Sequence, residues 1–215
     1  MRQKLVLILL LAFMGANAQM KQSTFVFGPK VGINPSHIKI IDNPSATTTS
    51  GLALRPQVGI FTRLNFGRLT FQPEGIFQIK GGNLKSPNEK HAYHYISTPI
   101  LAGFSPFQGF HIETGPEYSW ALNKDYKKNS VLQFGPNKAT EKAWVGGIRL
   151  DMLDAFSMFS INLRYTHGLE NVITKAYDDK TNFDFRTRTY QLSVTYNFSE
   201  YYKWYKKYGV KKSKK

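Results

Sequence analysis

The sequence predicts an all-β protein, an eight-stranded antiparallel up-and-down transmembrane β-barrel. Three observations lead there. Eight stretches alternate apolar and polar residues with a period of two, the pattern of a strand with one greasy face. The connections between them alternate long and short, as when a barrel crosses a membrane with short turns on one side and loops on the other. Past the N-terminal leader, no apolar run approaches the ~20 residues a membrane helix needs, so a membrane form has to be built from strands.

The leader sets the compartment. Arg2 and Lys4 make a positive start, Leu5 to Phe13 is a short apolar core, and Ala16-Asn17-Ala18 is a small-residue cleavage site. Residues 1–18 therefore read as a secretory signal peptide. The sequence then divides into a barrel over 19–198 and a basic aromatic tail over 199–215. The chain has no cysteine, which removes disulfides, thiolate metal sites and a thiol nucleophile. Mean hydropathy is -0.36 with 41% apolar residues, values that suggest a soluble domain. A small barrel with a polar inside gives the same average, so the two faces have to be read separately.

The first strand, 24–33, sets Phe25, Phe27, Val31 and Ile33 against Gly28, Lys30 and Gly32. The second, 52–64, sets Leu54, Val58, Ile60 and Leu64 against Arg55, Gln57 and Arg63. The third, 68–80, sets Leu69, Phe71, Phe77 and Ile79 against Gln72, Glu74, Gln78 and Lys80. The fourth, 93–104, alternates less cleanly, with Ile96, Ile100 and Phe104 out and Ser97 and Pro99 in. The fifth, 110–120, sets Phe110, Ile112, Tyr118 and Trp120 against His111, Glu113, Glu117 and Ser119. The sixth, 142–152, puts Trp144, Ile148, Leu150 and Met152 out and Arg149 and Asp151 in. The seventh, 158–167, puts Phe159, Ile161, Leu163 and Tyr165 out and Ser160, Asn162 and Arg164 in. The eighth, 186–198, alternates best, with Tyr190, Leu192, Val194, Tyr196 and Phe198 on one face.

Short turns are expected at 65–67, 106–109 and 153–156, and long polar loops at 34–50, 81–91, 121–139 and 169–184. With eight strands, both mature ends then lie in the periplasm of an outer membrane. A lipocalin-like soluble barrel would invert the faces, apolar side in. Two features favour lipid outside. Arg55, Glu74, Glu113, Glu117, Arg149, Asp151 and Arg164 share the polar faces and can pair across a narrow lumen. The apolar faces end in aromatics, with Trp120, Trp144 and Tyr165 near loops and Phe66, Phe104, Phe110, Tyr196 and Phe198 near turns, as interfacial girdles require.

The segments GPKVGIN, PEGIFQIKGG, YHYISTPILAGF, HIETGPEYSW and LRYTHGLENV follow one another at set spacing. In that order they resemble the outer-membrane β-barrel family of Bacteroidota called PorT-like, over residues 24–198. The resemblance implies an eight-stranded outer-membrane barrel assembled by the barrel-insertion machinery. It raises, as an alternative role, an accessory component of a secretion or gliding apparatus. The sequence departs from the family pattern after Phe198, where many such barrels stop.

The tail SEYYKWYKKYGVKKSKK is basic. Formal net charge is +15 for the whole chain, and about half of what remains after the leader lies here. Tyr201, Trp204, Tyr205 and Tyr208 share one helical face, with Lys203, Lys206 and Lys207 largely off it. Such a helix can lie in the interface against anionic lipid; a disordered, solubilising tail is the other reading of the same composition. Nucleic acid is a poor partner despite a pI near 9.9, because a periplasmic tail would not meet it.

The sequence offers no catalytic, cofactor-binding or metal site. His37, His91, His94 and His167 map to the outer end with Asp178, Asp179 and Asp184, so an enzyme or metal-binding barrel with a rim site is an alternative. Yet no serine sits in a nucleophile motif and the histidines lack ligand spacing. An open channel is disfavoured, since eight strands enclose a space that side chains fill. The expected role is a non-porin barrel with a structural or surface-binding function. Outer-membrane lipid, lipopolysaccharide phosphates facing loop basics such as Lys124, Lys127, Lys128 and Lys138, and a secretion-apparatus protein are the expected partners.

Overall fold

The computed structural model describes residues 24–41, 50–84, 89–124, 127–128, 133–136, 138–152, 156–172 and 184–206. Eight long strands follow in order: β1 Phe25–Ile41, β2 Ala53–Phe66, β3 Leu69–Leu84, β4 Glu89–Phe107, β5 Phe110–Ala121, β6 Thr140–Asp151, β7 Phe159–Gly168 and β8 Asp184–Tyr196. Each pairs antiparallel with the next. β8 returns to β1, from Lys30 opposite Thr195 to Ile41 opposite Asp184. The ladder is closed and leaves none of the eight with a free edge. The tight turns after β2 and β4 use Gly67 (φ 63°) and Gly109 (φ 78°) in the left-handed region, which suits the twist of a hairpin. Among the described residues no helix is long and apolar enough to span a membrane.

The faces settle which side is greasy. Outward Ile60 is 68% exposed and Leu54 66%, whereas inward Lys30, Asn34, Gln78, Lys80 and Arg149 are fully buried. The inverted, soluble reading is therefore excluded. Phe66, Phe104, Trp120, Trp144 and Phe198 all stand exposed on the outer surface, as interfacial girdles require. The rings of Tyr165 and Tyr190 lie 5.1 Å apart on adjoining strands.

Three strands run well past their expected ends. β1 continues through the expected first loop to Ile41, and β3 and β4 continue to Leu84 and from Glu89. Toward the upper ends of these strands and of β8 the alternation persists but changes sign. Ile38, Tyr93, Tyr95 and Phe185 point in and are buried, while His37, Lys39, His94 and Arg186 point out. A period-two reading keyed to an outward apolar face takes such a stretch for a loop. A transmembrane strand needs about 9–11 residues; β4 has 19, so its upper part stands clear of the hydrocarbon.

The eighth strand ends earlier than expected. Its ladder finishes where Asn197 N donates to the Met158 carbonyl at 2.6 Å, and Phe198 opens a short helix, α1 Phe198–Trp204. The Asn197 side chain donates to Ser160 Oγ rather than capping that helix. The helix turns back on β1: Ser199 Oγ donates 2.9 Å to the Phe25 carbonyl, and the Phe198 ring lies 5.5 Å from Phe27. The expected leader, residues 1–18, and the tail beyond 206 lie outside the described residues.

Candidate functional site

Inward parity on strands that rise ~3.3 Å per residue stacks polar side chains in layers, and the layers join across the barrel. In the layer nearer the short turns, Lys30 Nζ lies 2.8 Å from Glu74 Oε2, and Arg164 reaches Glu74 at 2.9 Å and Glu113 at 2.8 Å. Arg149 pairs with Glu113 and, at 2.9 Å, with Asp151. Asp151 also meets His111 Nε2 at 2.9 Å and Arg63 at 3.8 Å. Gln72 ties the cations together, accepting from Arg63 and, at 3.0 Å, from Arg149, and donating to Glu74.

The layer above is centred on Lys80, which lies 2.7 Å from Glu117 and 3.3 Å from Glu141. Gln78 links it to three other walls. It donates to Glu117 at 3.0 Å and Ser97 at 2.7 Å, and accepts from Asn34 and Gln191 at 3.1 Å each. Thr187 donates to Glu141.

Of the expected lumen residues, Glu74, Glu113, Arg149, Asp151 and Arg164 meet in the first layer and Glu117 sits in the second. Arg55 points inward but is half-buried, and among the described residues it pairs with none of these carboxylates. The expectation missed Lys30, Arg63, Lys80, His111 and Glu141 as network members. The first four lie on the same polar faces; Glu141 fell in an expected loop and instead opens β6. Counted together, Lys30, Arg63, Lys80, Arg149 and Arg164 face Glu74, Glu113, Glu117, Glu141 and Asp151. The formal charges cancel.

Above both layers lies an apolar cap. Ile38, Tyr93, Tyr95, Val172 and Phe185 form one buried cluster inside the mouth, with Lys80 Nζ beneath the Tyr95 ring at 5.2 Å. The start of the fourth loop closes over it, since Val172 N donates to the Phe185 carbonyl at 2.9 Å. His91 stands beside the cap with Nδ1 3.0 Å from the Tyr93 hydroxyl. It is six residues beyond the eleven of β4 that a bilayer needs, and burial pushes its pKa down to about 4.

The expected rim histidines do not converge. His91 faces in, whereas His37, His94 and His167 face out. His94 meets Phe77 edge-on, and His37 and His167 lie opposite Arg188 from either side. No three metal-ligating side chains gather among the described residues. Asp178, Asp179 and the Asp184 side chain lie outside them, as do the side chains of Lys127 and Lys128. The fourth loop does attract the third loop and the start of β6: Glu170 lies 3.6 Å from Lys138 and 3.5 Å from Lys142.

A family model described as "Outer membrane protein beta-barrel domain" matches residues 17–174. No curated protein matches the chain. Among solved structures, Neisserial surface protein A is 12% identical, with a TM-score of 0.44, 81% of this chain and 97% of that one covered. The Yersinia pestis attachment invasion locus protein Ail, solved with the heparin analogue sucrose octasulfate, is 12% identical, with TM-score 0.44 and coverage of 81% and 99%. Outer membrane protein AlkL in lipid bilayers is 11% identical, with TM-score 0.39 and coverage of 84% and 95%.

Proposed function

We infer the role of this chain from a premise that the family match supplies: it belongs to the outer membrane protein beta-barrel domain family. It is a small eight-stranded outer-membrane barrel. Its role is that of a non-porin, non-catalytic barrel that serves the membrane structurally and presents a binding surface outside, with both mature termini periplasmic. One observation carries this reading. The lumen is crossed by an ion-pair network of five cations and five carboxylates, with Arg55 outside it, and is roofed by buried Ile38, Tyr93, Tyr95, Val172 and Phe185. Such an interior favours neither ion passage nor a free general base, which leaves the outer surface for recognition.

Planar-bilayer recording of the refolded protein is the test. The expected result is no stable conductance; steady, large openings would move the protein to the porin class. A second reading, an accessory component of a secretion or gliding apparatus, is supported by the ordered PorT-like segments. Crosslinking in the native outer membrane followed by identification of partners would favour it if secretion proteins were captured. Cysteine labelling of intact cells tests the orientation: Lys124→Cys should react with an impermeant reagent and Ser199→Cys should not.

A further inference from the structure

The charges of the lumenal network balance only when its two layers are taken together. The upper layer sets Lys80 against Glu117 and Glu141. The layer nearer the short turns sets Lys30, Arg63, Arg149 and Arg164 against Glu74, Glu113 and Asp151. Four cations against three carboxylates leave this lower layer one positive charge in excess, before any proton on His111 is counted.

Hydrogen bonding in the lower layer is lopsided in the same direction. Every oxygen of its carboxylates already has a donor. Glu74 takes Gln72 on one oxygen and Lys30 and Arg164 on the other. Glu113 takes Arg149 and Arg164, one on each oxygen. Asp151 takes Arg149 and His111, and the Gln72 carbonyl takes Arg63 and Arg149. Donors are left over: Arg63 Nη2, Arg149 Nη2 and Arg164 Nε are buried and meet no acceptor among the described residues.

The three guanidinium groups are also neighbours. Arg63 and Arg149 share the Gln72 carbonyl oxygen, and Arg149 and Arg164 share the Glu113 carboxylate. None is more than 2% exposed, so bulk water neither screens their repulsion nor takes their spare N–H groups. Glu117 and Glu141, one layer up, offset the charge from a distance but accept none of these hydrogen bonds. A ligand that answers both deficits is small, anionic and able to accept several hydrogen bonds. The Asp151 side chain keeps 13% exposure at the short-turn end, which gives such a ligand a side of entry.

We propose that the lower layer binds one small inorganic anion, a halide, on the unengaged nitrogens of Arg63 and Arg149, with Arg164 beside them. The anion brings the layer to neutrality and supplies the acceptor its arginines lack. The site goes beyond the surface role inferred above and does not depend on it. Water would accept the hydrogen bonds but leave the charge, and the test separates the two.

The full-length protein, refolded in detergent, is crystallised with bromide in place of chloride, and the anomalous map locates the ion. The expected result is a lumenal peak in contact with the Arg63 and Arg149 guanidinium groups. In solution at constant ionic strength, the thermal midpoint should rise as chloride replaces gluconate. Arg63→Gln should weaken the apparent chloride affinity by about tenfold or more, since it removes a charge-assisted donor. Arg55→Gln, which removes a lumenal cation outside the network, should leave that affinity unchanged. Lumenal density without anomalous signal, a midpoint indifferent to chloride, or a bromide peak that persists in Arg63→Gln with Arg149→Gln would overturn the site. The unboiled gel shift confirms that each variant folds. If R63Q does not, Arg63→Lys carries the solution test, because lysine keeps the charge and loses the fork; the wild-type bromide map decides without any variant.

Discussion

Arg164 and Glu74, ninety positions apart in sequence, meet inside the barrel with a guanidinium nitrogen 2.9 Å from the carboxylate. Both are buried, and the same carboxylate oxygen also receives Lys30. Breaking one partner of such a pair strands the other without water. Arg164→Met should therefore cost about 3–5 kcal/mol, and Arg164→Met with Glu74→Gln should recover part of it. Urea titration of the barrel refolded in vesicles measures both, and equal stability of the single variant and wild type would refute the network's role.

Two adjacent glycines on β6 should behave oppositely. A Cβ on Gly147 would sit 2.4 Å from the Leu163 carbonyl oxygen and 2.7 Å from Arg164 Cγ, whereas one on Gly146 meets nothing within 4 Å. Gly147→Val is expected to destabilise by about 1–3 kcal/mol through overpacking. Gly146→Val should stay within about 0.5 kcal/mol. The folded fraction on an unboiled gel ranks the two.

Acid should loosen the cap from His91 outward. Its folded pKa, about 4, lies below the ordinary value of 6.5. The neutral ring's contribution is therefore fully present above pH 6.5 and is lost as pH falls toward 4. Hydrogen exchange at Tyr93, Val172 and Phe185 should quicken between pH 6.5 and 4.5 relative to the intrinsic rate, and His91→Gln should flatten that dependence. An unchanged pH profile in the variant would show that another group controls the cap.

Removing the C-terminal helix should leave the barrel whole. Its aromatic side chains continue the lower girdle, with Tyr201 6.1 Å from Tyr196 and 6.2 Å from Tyr205, while the strand ladder ends before it. A chain stopped after Phe198 is expected to fold and shift on gels like the full protein. The full chain should bind anionic vesicles more tightly at low salt than the truncated one, by about 1 kcal/mol per lysine near the surface. Failure of the truncated chain to insert would make the helix part of the assembly signal.

The eight strands were legible because each keeps one greasy face for the length of the bilayer. Val31 and Ile33 against Lys30 and Gly32 read the same in sequence and in space. What lay above the lipid was not legible, because Ile38 and Lys39 exchange the roles that Val31 and Lys30 hold lower down. The network was half legible. Parity alone puts Lys30, Arg63 and Lys80 in the lumen beside Glu74, but no local pattern says that Glu141 is inward, since it sits next to a polar loop. The rim cluster was hidden for another reason: His37, Arg188 and His167 lie on three strands and become neighbours only when β8 closes on β1.

Strand length gives the molecule an uneven outline. β4, with 19 residues, and β1, with 17, rise past β7, which has 10. At roughly 2.5 Å of height per residue, the β3–β4 side overtops β7 by roughly 20 Å. Among the described residues the mouth is thus a ramp, tall at Gly81–Leu84 and low at Gly168. The tall side is a rigid edge, since β3 and β4 stay paired up to Leu84 opposite Glu89. On the β7 side the described pairing stops at Gly168 opposite Ala143, so the paired backbone there ends well below that of β3 and β4.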